Sequence, residues 1–432
     1  MKKLLALLLA LVMVLSLAAC GTAGSGDETK GTEGGETAKG SVYYLNFKPE
    51  FDTALQQLAK DYKAATGVEV KVVTAASGNY SDTLTAEMGK SAAPTIFNIG
   101  NLAALADWDE YALDLTDSAI AKELATNDFN LYNADGKLKA IGNCYESFGI
   151  IVNTKLLKDA GYELSDITDF ASLKAVVEDI HAKAATLGFD AFTSSGLAPS
   201  SSWRFSGHLA TIPLHYEGIT GSVATIKGDK LDLFKNVWDL YINNSATAAT
   251  GLTDESLDAA AEFKAGKAVF YQNGTWEYSG LIEAGMTDDQ LAMIPIYSGA
   301  ENDKDAALCS GTENCWAINA KASEADQKAS IDFLVWLVSD EKAAATYVEQ
   351  LGAVPFKNAP ASKNKFVVDG NKLLADGKKT ISWAFNYTPN VDAWRATVVT
   401  ALTSYSAGTA EWTEVVKAFV DGWAYEYNVV NG

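Results

Sequence analysis

From Ser41 onward the chain alternates strand and helix patterns, and that alternation limits its fold more than any other feature. Val42-Tyr43-Tyr44-Leu45-Asn46-Phe47 has the continuous apolar character of a buried strand. A helix is expected from about Pro49, with Phe51, Leu55, Leu58, Tyr62 and Ala65 on one face. Pro49 suits its start and Gly67 its end. Residues 68–73 form a second strand pattern. This strand–helix–strand beginning argues a parallel, doubly wound α/β sheet. The pattern repeats with a helix over 81–90, a strand over 94–98 and a helix near Leu102. Asn133-Ala134-Asp135-Gly136 is a hairpin turn signal before a strand at 138–141. Helical patterns then cover 154–160, 170–187, 231–243, 256–265, 323–338, 340–351 and 411–425. Short strands at 268–271, 292–296 and 315–318 sit between them. No linker interrupts the chain after residue 40. A stretch this long without one forms a single very large unit or crosses between lobes several times.

The N-terminus carries an address. Lys2 and Lys3 precede an almost unbroken apolar run over 4–17, and Leu17-Ala18-Ala19-Cys20 follows. A charged start, an apolar run and small residues before a cut make a secretory signal. The ending resembles a bacterial lipobox, in which Cys20 is lipidated and becomes the first mature residue. An ordinary signal peptide or a membrane anchor are the alternatives, but a span needs about 20 apolar residues. Residues 20–40 hold no large apolar side chain and are expected to be a flexible tether.

Composition removes several function classes. With 34 basic against 55 acidic residues the net charge is −21, which disfavours nucleic acid and anionic membrane surfaces as partners. Three histidines (His181, His208, His215) leave little for metal sites or imidazole catalysis. No metal or cofactor is expected. Four cysteines make no disulfide scaffold. Cys309 and Cys315 could pair in an exported protein or equally be small buried thiols, and Cys144 would then stand alone. Gly89-Lys90-Ser91 ends like a phosphate loop, but Leu84 occupies the position of its first glycine. There is no G-x-S-x-G, H-E-x-x-H or dinucleotide fingerprint. A carboxylate pair for glycoside hydrolysis stays open, because its separation is a three-dimensional quantity.

Aromatic residues are the remaining signal: ten Trp, 18 Tyr and 17 Phe. Trp238, Trp336, Trp412 and Trp423 lie on helical patterns and suit core packing. Trp108, Trp203, Trp276, Trp316, Trp383 and Trp394 lie near loops, strand ends or helix starts, often beside polar partners such as Arg204 or Asn314. Flat aromatic faces beside hydrogen-bonding groups suit sugar rings, and collectively they favour a carbohydrate cleft.

Three stretches then carry a family likeness. They are Gly149-Ile150-Ile151-Val152-Asn153-Thr154-Lys155-Leu156-Leu157 with Ala160-Gly161, Phe263-Lys264-Ala265-Gly266-Lys267-Ala268-Val269-Phe270 leading to Gly274-Thr275-Trp276, and Trp316-Ala317-Ile318-Asn319 leading to Gly352-Ala353-Val354-Pro355. In order and spacing the chain resembles the extracellular solute-binding proteins of carbohydrate ABC importers, the group that includes maltose-binding protein. Val152 stands where an aromatic is usual.

The resemblance implies a periplasmic-binding-protein-like (type II) fold, two doubly wound α/β lobes joined by a hinge crossed three times. The crossings are expected near 152–153, 298–307 and 355–357. They divide the chain into an N-terminal lobe (41–152 plus 308–354) and a C-terminal lobe (153–307 plus 355–432). The ligand, a sugar or oligosaccharide, is expected in the crevice at the carboxyl ends of strands. Chain position nominates Asn46, Phe47, Asn98, Asn101, Tyr145 and Glu146 on one side, and Trp203, Arg204, Trp276, Trp383 and Trp394 on the other. Glu313 and Asn314 lie between. Trp276 leads the set, because its G-x-W context matches a sugar-stacking position in the family. The implied protein is a monomer without catalytic activity. It is lipid-anchored through Cys20 to the outer face of a bacterial cytoplasmic membrane and delivers its sugar to permease subunits there. A membrane-tethered glycoside hydrolase and the same fold with a peptide or polyamine cargo are the alternatives.

Overall fold

Successive side chains leave a strand on opposite faces, and the first strand shows the consequence. In β1 (Val42–Asn46), Val42 and Tyr44 enter one apolar cluster and Leu45 another. A sheet buried on both faces in this way suits parallel pairing. The computed structural model describes residues 39–432 except Ser77, Asp128 and Asn314. The signal segment 1–19, Cys20 and the tether up to residue 38 therefore lie outside the described residues. Among the described residues no helix is long and apolar enough to cross a membrane.

The strands that follow are β2 (Val70–Thr74), β3 (Ile96–Ile99), β4 (Leu131–Tyr132), β5 (Leu138–Gly142), β6 (Glu146–Asn153), β7 (Asp190–Phe192), β8 (Ala268–Gly274), β9 (Leu291–Ile294), β10 (Ala306–Gly311), β11 (Cys315–Ile318) and β12 (Lys379–Ser382). One sheet has the order β2-β1-β3-β11-β5-β4, and the second β12-β10-β6-β8-β7 with β9 also on β6. Both are mixed. β11 runs antiparallel to β3 and β5, and β6 runs antiparallel to β8, β9 and β10.

These reversals have one cause. The chain leaves the first sheet at the carboxyl end of β5 and enters the second at the matching edge, so β6 must run against its neighbours. The return from β10 to β11 repeats the manoeuvre in the other direction. Hence the strand ends of both sheets meet at the passages between them.

The passages lie elsewhere than the sequence suggests. Val152 and Asn153 end β6, deep in the second sheet, so the first passage falls between Gly142 and Glu146. Residues 298–307 join β9 to β10 within the second sheet, and the second passage falls between Gly311 and Cys315. The third falls between Lys357, whose N–H donates to the Glu123 carbonyl at 2.9 Å, and Asn364, whose Nδ2 donates to the Thr275 carbonyl at 2.9 Å. A continuous apolar run announces a buried strand but not which sheet receives it.

Helix ends follow their caps. Ser323 and Asp340 cap the helices Glu324–Ser339 and Glu341–Leu351, and Asp258 delays the helix expected from residue 256 to Ala259–Lys264. The pattern over 170–187 splits into Phe170–Ala182 and Ala184–Leu187, with Lys183 out of helical geometry between them. The last helix, Trp412–Asn431, outruns its pattern. Cys309 and Cys315 stand in different sheets, and both are free and buried, as is Cys144. That removes the disulfide alternative. Burial pushes the thiols of Cys309 and Cys315 up to about 12.

Candidate functional site

The carboxyl edge of the second sheet is aromatic. β8 ends at Gly274, and the Trp276 indole folds back over that glycine: a Cβ there would sit 2.2 Å from the ring. β10 ends at Gly311, where a Cβ would sit 2.9 Å from the Trp383 indole. Glycine at each strand end thus lets a tryptophan lie on bare backbone. The Trp383 Nε1–H donates to the Cys309 carbonyl at 2.9 Å.

Beyond β7 the chain enters a π-helical stretch, Arg204–Leu209, a widened geometry found often at functional sites. It turns the His208 ring flat onto Phe148, with centroids 4.6 Å apart and planes 7° from parallel. Trp383 (4.7 Å), Phe385 (5.0 Å), Trp203 (5.4 Å) and Trp276 (5.5 Å) surround the same ring. Trp203 and Trp276, 5.8 Å apart, are the partly exposed tryptophans of this group, whereas Trp383 is 2% exposed. Burial, seconded by the Arg395 cation, holds the His208 imidazole well below its ordinary range, so the ring is neutral. Its Nδ1 is buried without a hydrogen-bond partner among the described residues.

Arg395 lies over the Phe385 ring at 4.9 Å. It reaches toward Glu313 and Asp392, each at 3.7 Å. A Cβ on Gly207 would fall 2.6 Å from its Nη2, so this glycine admits the guanidinium beside His208. Glu313 is about a third exposed (31%). Burial pushes its carboxyl up, an effect that water access tempers.

The carboxyl edge of the first sheet is polar and charged. Lys48, just past β1, contacts the Glu146 carboxylate at 2.6 Å and Glu50 at 3.0 Å. Lys48 and Glu146 are 8% and 6% exposed, so this ion pair spans the first passage out of reach of water. Burial alone would pull the Lys48 ammonium down, but Glu146 and Glu50 outweigh it and hold it well above its ordinary value. Helix Leu102–Trp108, which follows β3, approaches the turn Ala384–Tyr387, which follows β12. The two edges therefore face each other at close quarters.

Of the residues nominated from sequence, Phe47, Tyr145, Glu146, Trp203, Trp276, Glu313 and Trp383 gather at these edges. Phe47 is partly exposed and edge-on to Tyr80 at 5.3 Å. Tyr145 is tilted on Phe129 at 4.9 Å. Asn46 and Asn101 are employed locally. Asn46 closes its own turn, donating to the Lys48 carbonyl at 2.7 Å and accepting from the Lys48 N–H at 3.1 Å. Asn101 caps a helix by accepting from Ala104 N–H at 2.8 Å. Asn98 is buried at the end of β3.

Two nominations are corrected. The Arg204 guanidinium is 3% exposed and donates to the carbonyls of Ser194 (3.2 Å) and Gln272 (3.4 Å), so it braces the wall from behind. Trp394 is 1% exposed and donates to the Phe419 carbonyl at 3.0 Å, between the last two helices. It packs the core and offers no stacking face. Trp316, also among the loop-associated tryptophans, is fully buried with its Nε1 donating to the Tyr44 hydroxyl at 2.7 Å. Asn314 lies outside the described residues. Sequence reasoning passed over Lys48, Phe148, His208, Phe385 and Arg395. One signal was available: the chain has only two arginines, Arg204 and Arg395, and both lie at this edge.

No group of three or more His, Cys, Asp or Glu side chains able to hold a metal occurs among the described residues. What the edges offer is indole faces, a neutral imidazole and a clamped ion pair, which suits reversible binding.

The family described as bacterial extracellular solute-binding protein matches residues 57–369. The chain belongs to that family. No curated protein matches this solute-binding protein. Solved structures do. A family 1 extracellular solute-binding protein from Bifidobacterium longum subsp. infantis is 18% identical, with 89% of this chain and 100% of that one covered and a TM-score of 0.62. The GacH receptor of Streptomyces glaucescens, described unliganded and with acarbose, is 20% identical over 90% and 99%, with a TM-score of 0.66. A sugar transporter from Bacillus licheniformis in complex with stachyose is 17% identical over 89% and 99%, also at 0.66. At these identities the likeness is one of fold. This solute-binding protein has the two-sheet α/β architecture of the type II periplasmic-binding-protein fold.

Proposed function

We propose that this protein is the substrate-binding lipoprotein of an ABC importer, capturing a sugar or oligosaccharide between two lobes that close about a hinge. The observation that carries the reading is the pair of partly exposed indoles, Trp203 and Trp276, seated together at the carboxyl edge of the second sheet. Sugar rings present apolar C–H faces that stack on indoles, and their hydroxyls need nearby hydrogen-bonding groups. The lobes run over 41–142 plus 315–357 and 146–311 plus 364–432, and three passages join them. Contact with both lobes is available only when they are shut, so binding shifts the population toward the closed form. The closed form then docks on permease subunits, and Cys20 tethers the protein by lipid to the outer membrane face. The guest leaves chemically unaltered. Neighbours described with acarbose and stachyose support a saccharide as cargo.

Calorimetric titration with raffinose, stachyose, maltotriose and acarbose tests this. Saturable binding on the order of micromolar, with no product by chromatography, is expected. Failure of every saccharide to bind, or release of monosaccharides, overturns it.

A further inference from the structure

His208 has the wrong chemistry for the position it fills, if filling it were all that mattered. Five aromatic rings enclose it, and a phenylalanine would supply the same stacking area on Phe148. Instead the ring carries an Nδ1 that is buried and unpartnered, which costs free energy that a carbon in its place would not. The backbone is shaped to keep the residue there. A π-helical stretch delivers it, and Gly207 leaves room for the Arg395 guanidinium alongside. Sites that depart from the rule that buried polar atoms are paired are commonly functional. Trp203 and Trp276, the partly exposed members of the enclosure, are the two indoles on which the proposed sugar stacks.

We infer that His208 determines specificity in this site: its imidazole nitrogen forms a hydrogen bond with a hydroxyl of the bound sugar, a partner that none of the described residues supplies. The inference rests on the sugar-binding reading above. The charged group beside the ring is Arg395 on helix Val391–Ser406, and the flanking Phe148, Trp203, Trp276, Trp383 and Phe385 do not titrate. The neutral ring can accept or donate through either nitrogen according to its tautomer.

His208→Phe is the decisive variant. It keeps ring stacking and removes the nitrogens. The expected result is a fold at least as resistant to heat and urea as the parent, with affinity lower by about tenfold or more for whichever of raffinose, stachyose, maltotriose or acarbose the parent binds. His208→Gln, which restores an amide for hydrogen bonding, should recover part of that affinity despite poorer packing. If His208→Phe binds as tightly as the parent, the ring is packing alone and the inference falls. If both variants lose affinity equally while Trp203 and Trp276 keep their fluorescence, the hydrogen bond is not the cause and it falls equally. If the parent binds no saccharide, the function itself is wrong rather than the role of this residue.

Discussion

The two sheet edges that face each other are made from opposed chemistry. On the second sheet, Trp203, His208, Trp276 and Trp383 form one connected block of rings that rests on glycine backbone at Gly274 and Gly311. On the first sheet, Asn46 and Asn101 are tied into their own turns, and Lys48 is clamped to Glu146 across the passage. The aromatic edge gets its shape from packing within one sheet's loops. The polar edge gets its shape from a contact that belongs to both sheets. A block of rings shaped within one sheet therefore faces an edge whose shape depends on a contact between the two sheets.

That contrast can be broken experimentally. Lys48→Met leaves the Glu146 carboxylate buried without its cation, and unfolding in urea should show a loss of roughly 3–5 kcal/mol. The double variant with Glu146→Gln should regain much of it. A single variant as stable as the parent would mean the pair does not hold the passage together. On the opposite edge, Trp276→Ala should leave stability nearly intact yet lower sugar affinity by about 100-fold, whereas Phe47→Ala on the polar edge should cost about tenfold or less. Equal losses in calorimetry would erase the asymmetry. Gly274→Ala sharpens the point more gently, because the new methyl lifts the Trp276 indole from its seat. Affinity should drop by about tenfold with a shift in tryptophan emission and no change in fold by circular dichroism.

The smallest effect is one of pH. His208 is kept neutral in the fold by burial and then by Arg395, while in the unfolded chain it takes a proton near 6.5. Its contribution to stability is full above that value and is lost as pH falls below it, at most ~1.4 kcal/mol per pH unit. His208→Phe should flatten this slope between pH 6.5 and 5, and an unchanged slope would show that the ring is not the group responsible.

Much of the fold was legible because periodicity and caps are local. Ser323 and Asp340 stand where two helices begin, and the strand pattern at 315–318 coincides with β11. The Asn133–Gly136 signal does join two antiparallel strands, with Gly136 at a φ of 75°. The passages were not legible, since β6 is equally apolar whichever sheet it joins. The site was half visible. Trp203 and Trp276 announce themselves as tryptophans in loops with polar neighbours. Trp394 has the same signature but turns inward, while its neighbour Arg395 turns toward Glu313. Adjacent residues on a helix point about 100° apart, and nothing local says which one meets the cleft.

By itself, the order of residues determined the strand and helix alternation, the buried faces and the local Gly274–Trp276 pair, because each depends on neighbours a few positions away. Only the tertiary structure decided that β6 and β11 run against their sheets, that Lys48 meets Glu146, and that the His208 Nδ1 finds no hydrogen-bond partner among the described residues. Those outcomes depend on segments about a hundred residues apart being brought to one edge, and that is settled by packing of whole sheets rather than by any local preference.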